Sequence, residues 1–232
     1  HERGLIDSRV FDLLRHIDLQ LVVNAHPLSV YEQRGIRAAY WQIGIEEPQD
    51  VAPPIEPRDL VFLGNLNTRQ RRDLETALTA AAQGAKLSLG MYGIGWKNPS
   101  GETLYDFAAG EAIYKRCKMA IGDQFWGDTH AFVSNRMFQA LAAGAFFLQQ
   151  ESPGLEDYTG LRDGVHYVAW SDLDDLQRKI KTWSNSKKAA KRAEIAAAGR
   201  AFVREHFTFE AQVRKLFFEL LPMITESERV LA

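Results

Sequence analysis

The stretch Ser134-Asn135-Arg136-Met137-Phe138-Gln139-Ala140-Leu141-Ala142-Ala143-Gly144, running directly into Ala145-Phe146-Phe147-Leu148, decides the fold. Ser134 is a helix-capping residue type, Met137, Phe138, Ala140 and Leu141 recur at helical spacing, and Gly144 closes the helix before a strand-like run. The small residues Ala140, Ala142, Ala143 and Gly144 let such a helix lie close to a sheet. Its N-terminus presents backbone amides, with Ser134, Asn135, Arg136 and Met137 around them, in a cradle suited to a diphosphate. Gln139 stands one turn further in, near the distance of a ribose. A capped core helix without a ligand would carry the same pattern, so the stretch speaks for architecture first and chemistry second.

Outward from it, strand-like and helix-like segments alternate. The spacing predicts strands at Leu60–Leu63, Lys86–Tyr92, Met119–Ile121, Ala145–Leu148 and Val165–Ala169. Helices are expected from Thr68, near Gly110–Lys115, from Asn135, as a short turn near Leu155, and from Asp172, Lys187 and Thr208. Such alternation implies an α/β fold, a Rossmann-like parallel sheet with helices on both faces. Ligands then sit at the carboxyl ends of the strands, so the loops after Leu63, Met91, Ile121 and Leu148 are where chemistry belongs. Upstream, Leu5–His16 has helical spacing, Leu19–Val23 and Ile36–Ile43 are short apolar runs, and Glu46–Pro57 carries four prolines and reads as a linker. The division expected is residues 1–57 as a reduced or truncated N-terminal α/β part, 58–207 as the Rossmann-like domain, and 208–232 as a C-terminal helix packing back on the N-terminal part.

Val61-Phe62-Leu63-Gly64-Asn65 joins a buried strand to a helix through a glycine turn capped by Asn67 or Thr68. Gly64 and the following amides would face an anion, with the guanidinium groups of Arg69, Arg71 and Arg72 beside it. A structural turn with a solvated basic face is the plainer alternative. Asp123, Trp126, Asp128 and His130 form a polar, aromatic loop after a strand, suited to sugar hydroxyls and an apolar sugar face. Tyr92, Trp96, Tyr105 and Phe107 are candidates to flank a base, although aromatics at such places are also core residues. Glu151, Ser152 and Gly154 follow the next strand and could present a carboxylate and amides to a sugar.

The bulk numbers agree with a soluble protein: 46% of residues are hydrophobic and 25% charged. Lys and Arg number 28 against 30 Asp and Glu, which removes any overall positive field for nucleic acid. The single cysteine, Cys117, can form neither an internal disulfide nor a thiolate cluster, and fits a reducing compartment. No apolar run approaches the roughly 20 residues of a membrane span, so a cytoplasmic protein is expected. His16, His26, His166 and His206 show no metal-ligand spacing, and no metal site is expected. Tyr92-Gly93-Ile94-Gly95-Trp96 lacks the third glycine and the helix of a dinucleotide fingerprint.

With those residues in view, Ser134 to Leu148 followed by Ser152-Pro153-Gly154-Leu155-Glu156-Asp157-Tyr158 resembles the donor-site helix and next loop of the spore-maturation (CgeB-like) glycosyltransferases, relatives of the retaining GT-B enzymes. Val61 to Asn65, Tyr92 to Trp96, Tyr114 to Asp123 and Ala198 to Glu210 are similar to the same family in order and spacing. The resemblance implies a metal-independent transfer of a hexose from a nucleotide diphosphate sugar, UDP-glucose or a similar UDP-hexose, with retention of configuration. The nucleotide sugar would be a substrate, so no cofactor is expected. By resemblance Arg136 and the amides of Ser134 to Met137 hold the diphosphate, and Gly64 and Asn65 line its other side; Asp123 and His130, from the polar loop after a strand, are the candidates to complete a catalytic set with Arg136. Gln139 falls where many relatives have a glutamate for the ribose, and Ala131 where many have another for the sugar. A neutral amide is a weaker acceptor than a carboxylate, so donor binding is expected more firmly than transfer. The acceptor is not legible. If an acceptor half is missing, slow donor hydrolysis and a partner subunit or homodimer are expected. The alternatives are a non-catalytic nucleotide-sugar-binding module, or a glycosyltransferase acting on modified DNA bases through Arg69, Arg71 and Arg72 or Lys187, Lys188 and Lys191.

Overall fold

A strand buried on both faces has no polar alternation, and Leu60–Leu63 and Met119–Gly122 are such strands, with every residue buried. The structure is a computed structural model and describes residues 8–47, 56–97, 99–101, 107–124 and 131–222. Near the start, α1 (Ser8–Leu14) precedes a βαβ unit of β1 (Gln20–Val22), α2 (Leu28–Gln33) and β2 (Ala38–Tyr40), whose two strands pair in parallel. The main sheet holds β3 (Leu60–Leu63), β4 (Leu89–Tyr92), β5 (Met119–Gly122), β6 (Phe147–Gln150) and β7 (Val168–Trp170), in the order β4-β3-β5-β6-β7. All neighbouring pairs are parallel. Between and after them run α3 (Arg69–Ala85), α4 (Phe107–Arg116), α5 (Asn135–Ala142), α6 (Leu155–Thr159), α7 (Leu173–Ser184), α8 (Ala189–His206) and α9 (Phe209–Lys215).

The parallel α/β fold read from the alternation is the fold observed, with shifted strand ends. β4 starts at Leu89 instead of Lys86, because Lys86 takes a left-handed conformation (φ 53°) that closes α3 and lets its N–H reach the Ala82 and Gln83 carbonyls. Gly144, at φ 86°, makes the corresponding turn after α5 and delays β6 to Phe147. The expected linker and the expected ends of the first and last helices fall partly outside the described residues.

Alternate residues of β3 point to opposite faces and into separate cores. Val61 and Leu63 meet Ile113 and Tyr114 of α4, Phe138 and Leu141 of α5, and Val203 of α8. Leu60 and Phe62 meet Leu74 and Leu78 of α3 and Leu176 and Ile180 of α7. Phe138 stacks on Phe207 at 4.5 Å between ring centroids. The first βαβ unit is tied on by backbone and side chain: Ile45 N–H donates to the Phe207 carbonyl (2.9 Å), Phe209 N–H to the Ile45 carbonyl (2.9 Å), and the Trp41 indole to the Gln212 carbonyl (3.0 Å). Among the described residues no helix is long and apolar enough to cross a membrane.

Gly199 sets the distance between α8 and its neighbours. A Cβ there would collide with the His166 carbonyl oxygen and stand 2.9 Å from Leu141 Cδ2. Gly84, near the end of α3, would meet nothing within 4 Å. Gly199→Ala is therefore expected to cost about 1–3 kcal/mol, and Gly84→Ala to add about 0.5 kcal/mol. Urea denaturation of the two variants measures both, and equal midpoints would contradict this packing.

Candidate functional site

In a sheet ordered β4-β3-β5-β6-β7 the chain leaves β3 in one direction and returns beyond it with β5, so the carboxyl ends of β3 and β5 flank the switch point where such folds bind ligands. Asp123 follows β5 at that point and is only 5% exposed. Its carboxylate accepts from Arg71 Nε (2.7 Å) and Nη2 (3.0 Å), and from Arg136 Nη2 (2.9 Å). Arg71 comes from the first turn of α3 and Arg136 from the first turn of α5. Two helix N-termini on opposite faces thus each bring one arginine to a single aspartate. Burial alone would raise the Asp123 pKa, but the hydrogen bonds and charges of Arg71 and Arg136 outweigh it and hold the carboxyl below its ordinary range. The cluster carries one surplus positive charge beside two helix dipoles of the same sign, which suits it to an anion.

Arg136 also donates Nη1 to the Leu63 carbonyl and Nε to Ser134 Oγ (3.1 Å). Among the described residues these contacts leave part of its donor fork open. Both guanidinium groups lie over the Phe62 ring, Arg71 at 5.5 Å and Arg136 at 5.2 Å from the centroid. Ser134 caps α5 as expected, through a long contact from the Arg136 N–H (3.4 Å). The Met137 N–H is bonded to the Ser134 carbonyl (2.9 Å), so the amide cradle is smaller than the sequence suggests and the arginines carry more of the positive potential. Asn135 is exposed at this end, and Gln139 is half-buried one turn on.

Several expectations need correction. Gly64 does not offer its amide to a ligand, because that N–H donates to the Tyr92 carbonyl (2.8 Å). The glycine makes room: a Cβ would stand 2.5 Å from Arg136 Nη1 and 2.8 Å from Phe62 Cε1. Asn65 Oδ1 accepts from the Ile94 N–H (2.9 Å) and its carbonyl from Arg71 Nη1 (2.7 Å), which knits the loops after β3 and β4 together. Arg71 is buried against Asp123, while Arg69 and Arg72 are exposed along an open depression of about 490 Å³ with Thr68 and Asp73. Tyr92 points away from the loops after β3 and β5. Its ring runs back over Gly90 toward Arg58, at the opposite end of the strands. Trp96 is buried, donates its indole N–H to the Gly64 carbonyl (2.8 Å) and packs edge-on to Phe62.

Glu151 is exposed, with its N–H bonded to the Trp170 carbonyl. Ser152 turns inward, its hydroxyl donating to the Phe132 carbonyl (3.1 Å), and Gly154 starts α6 at φ 72°. His130, with Trp126, Asp128 and Tyr105, lies outside the described residues, as does the side chain of Phe107. The sequence reading missed Gln124, which is buried and donates Nε2 to the Phe132 carbonyl (2.5 Å). It also missed Gln150, whose Oε1 accepts from the Gln124 N–H (2.9 Å). Two consecutive polar residues after a fully buried strand were the available signal. Asp123 and Gln150 also line a cavity of about 260 Å³ with Gln70, Asp73, Trp170 and Asp172.

A family model described as Glycosyl transferase-like matches residues 69–217, more than half of the chain. Among solved structures, the chain is similar to TarM of S. aureus, with a TM-score of 0.65 at 14% identity over 94% of this chain and 48% of TarM. It is similar to a glycosyltransferase from Rickettsia africae ESF-5, with a TM-score of 0.65 at 12% identity over 95% of this chain and 67% of that one. HepE of Anabaena, solved in complex with UDP and glucose, gives a TM-score of 0.70 at 11% identity over 94% of this chain and 68% of HepE. The chain therefore spans about half of TarM and two thirds of the other two. No curated protein compared with it matches.

The Arg71–Asp123–Arg136 cluster gives a pH-dependent expectation. A carboxyl whose folded pKa is depressed contributes stability that is present above its unfolded value, roughly 3.9, and is lost as pH falls through the folded value. Asp123→Asn leaves two arginines uncompensated, so it should cost about 3 kcal/mol near neutral pH. That gap should begin to narrow below about pH 4, where the unfolded carboxyl takes up a proton, and close as pH falls through the depressed folded value. Chemical denaturation of both proteins between neutral and acid pH reads this directly, and a gap independent of pH would show that the charge of Asp123 does not matter.

Proposed function

The chain belongs to the glycosyl transferase-like family, and from that premise we propose that it binds a UDP-hexose at the carboxyl ends of β3 and β5 and transfers the hexose to an acceptor. The observation that supports this best is the surplus positive charge of the Arg71–Asp123–Arg136 cluster, set at the switch point between two helix N-termini. A nucleoside diphosphate leaves with developing negative charge. Fixed donors at its position lower the barrier without having to reorganise during the reaction. In this reading Arg136 holds the diphosphate through the open part of its fork, Asp123 holds Arg136 and is itself held by Arg71, and no metal ion is needed to neutralise the leaving group. Gln139 faces the ribose. HepE, with UDP and glucose in its solved complex, favours a uridine nucleotide. Retention of configuration rests on the resemblance to retaining GT-B enzymes.

A second reading is favoured by Ala131. It occupies the position where the resemblance implies a sugar-binding glutamate, and it is fully buried, so the donor sugar has no carboxylate from this place. On that ground a nucleotide-sugar-binding module without turnover is the alternative. It would be stabilised by UDP-glucose without releasing UDP.

Isothermal titration with UDP tests the first reading. Arg136→Ala should weaken binding about 10- to 100-fold, as expected for losing hydrogen bonds to a charged group. Gln139→Ala should weaken it about threefold or less. Wild-type affinity should be unchanged by a chelator. Two variants that bind UDP like the wild type would remove the assignment of this helix. A coupled assay for UDP release from UDP-glucose separates transferase or hydrolase from the silent module.

A further inference from the structure

Ala131 stands at φ 52°, in the left-handed region that residues with a Cβ disfavour, and it is fully buried. Something must hold it there. Its N–H donates to the Pro153 carbonyl (2.7 Å) and its carbonyl accepts from the Tyr40 hydroxyl (3.1 Å). The next carbonyl, of Phe132, is gripped by Gln124 and Ser152. Two residues later comes Ser134, whose hydroxyl receives both the backbone N–H and the Nε of Arg136. The backbone that enters α5 is thus fixed by side chains from separate elements. One of them, Tyr40, comes from β2 in the first βαβ unit, 91 residues away in sequence.

We infer that Tyr40 is a positioning residue for the anion-binding end of α5: by holding the Ala131 carbonyl it keeps the strained segment before Ser134, and therefore Arg136, in the donor-binding arrangement. This rests on the reading of α5 as the donor site given above. Tyr40 is well suited to the task. Its ring packs against Tyr158 at 5.1 Å, its oxygen accepts from Gln42 Nε2 (2.6 Å), and the phenol is buried. Burial pushes its pKa up to about 12, so it stays a donor throughout the working pH range. Without the hydroxyl, the Ala131 carbonyl loses its donor, and the segment is released toward the right-handed or extended backbone that alanine prefers. Only the population with the loop in place would then bind a diphosphate well.

The test compares UDP titrations and thermal unfolding of the wild type, Arg136→Ala, Tyr40→Phe, and the double variant Tyr40→Phe/Ala131→Gly. Tyr40→Phe keeps the ring and should weaken UDP binding about 3- to 10-fold. Glycine adopts the left-handed conformation without a steric cost, so the double variant should regain most of the lost affinity. If Arg136→Ala binds UDP like the wild type, the donor-site reading fails and this inference falls with it. If Arg136→Ala is impaired but Tyr40→Phe is not, the donor site stands and Tyr40 does not position it. A loss in Tyr40→Phe that glycine does not restore overturns the strain-holding role. Should Tyr40→Phe fail to fold, the double variant still decides: it must fold and bind UDP, and failure overturns the inference.

Discussion

A single buried carboxylate holds two helix N-termini together, and the rest of the site depends on it. Basic side chains in the first turn of a helix oppose its dipole, yet α3 places Arg71 there, with Arg69 and Arg72 beside it, and α5 places Arg136, with no acidic residue in either first turn. Asp123 resolves both conflicts at once. It lies between the two arginines at hydrogen-bond distance, just past the end of β5, which runs between the helices' faces. An arrangement with one anion for two cations is settled in its geometry but not in its charge. Such a cluster is stable enough to persist and still attractive to a second anion.

The same constraint explains the small residue beside it. The carboxyl end of β3 must let the Arg136 guanidinium pass to the Leu63 carbonyl, and only glycine at 64 leaves the space. Phe62 lies beneath both guanidiniums and is itself fully buried between β3 and α3. The core residues of the sheet therefore floor the charged cluster. Trp96 closes this side by capping the Gly64 carbonyl with its indole. Residues that look like ligand-facing aromatics in the sequence are thereby spent on the frame that orients Arg136.

How much of this the sequence discloses follows from which interactions are local. The strands β3 and β5 are legible because a strand covered on both faces becomes an uninterrupted apolar run. Ser134 and Thr68 are legible as caps, and each side chain accepts from the first turn of its helix. The pairing of Arg71 with Asp123 crosses 52 residues, and no spacing rule points to it. The direction of the Tyr92 ring depends on Gly90 leaving room beneath it, which the alternation of a strand does not reveal. Ala131 carries none of the turn signals of Gly, Asn or Asp, so its left-handed backbone is legible only through the partners that hold it.

The positions of the basic residues bear on what can reach the site. α7 starts at Leu173, just past the carboxyl end of β7, and its 12 residues run back along the sheet. At about 1.5 Å per residue this carries Lys187, Lys188 and Lys191 roughly 18 Å from the strand ends, to the opposite edge. Arg69 and Arg72 remain at the ligand edge, while Arg71 is committed to Asp123. The arginine group and the lysine group are thus about one α7 length apart. The face over the carboxyl ends of β3 and β5, beside the loop whose Ala131 carbonyl accepts from Tyr40, offers Arg69 and Arg72 as the exposed arginines among the described residues of α3.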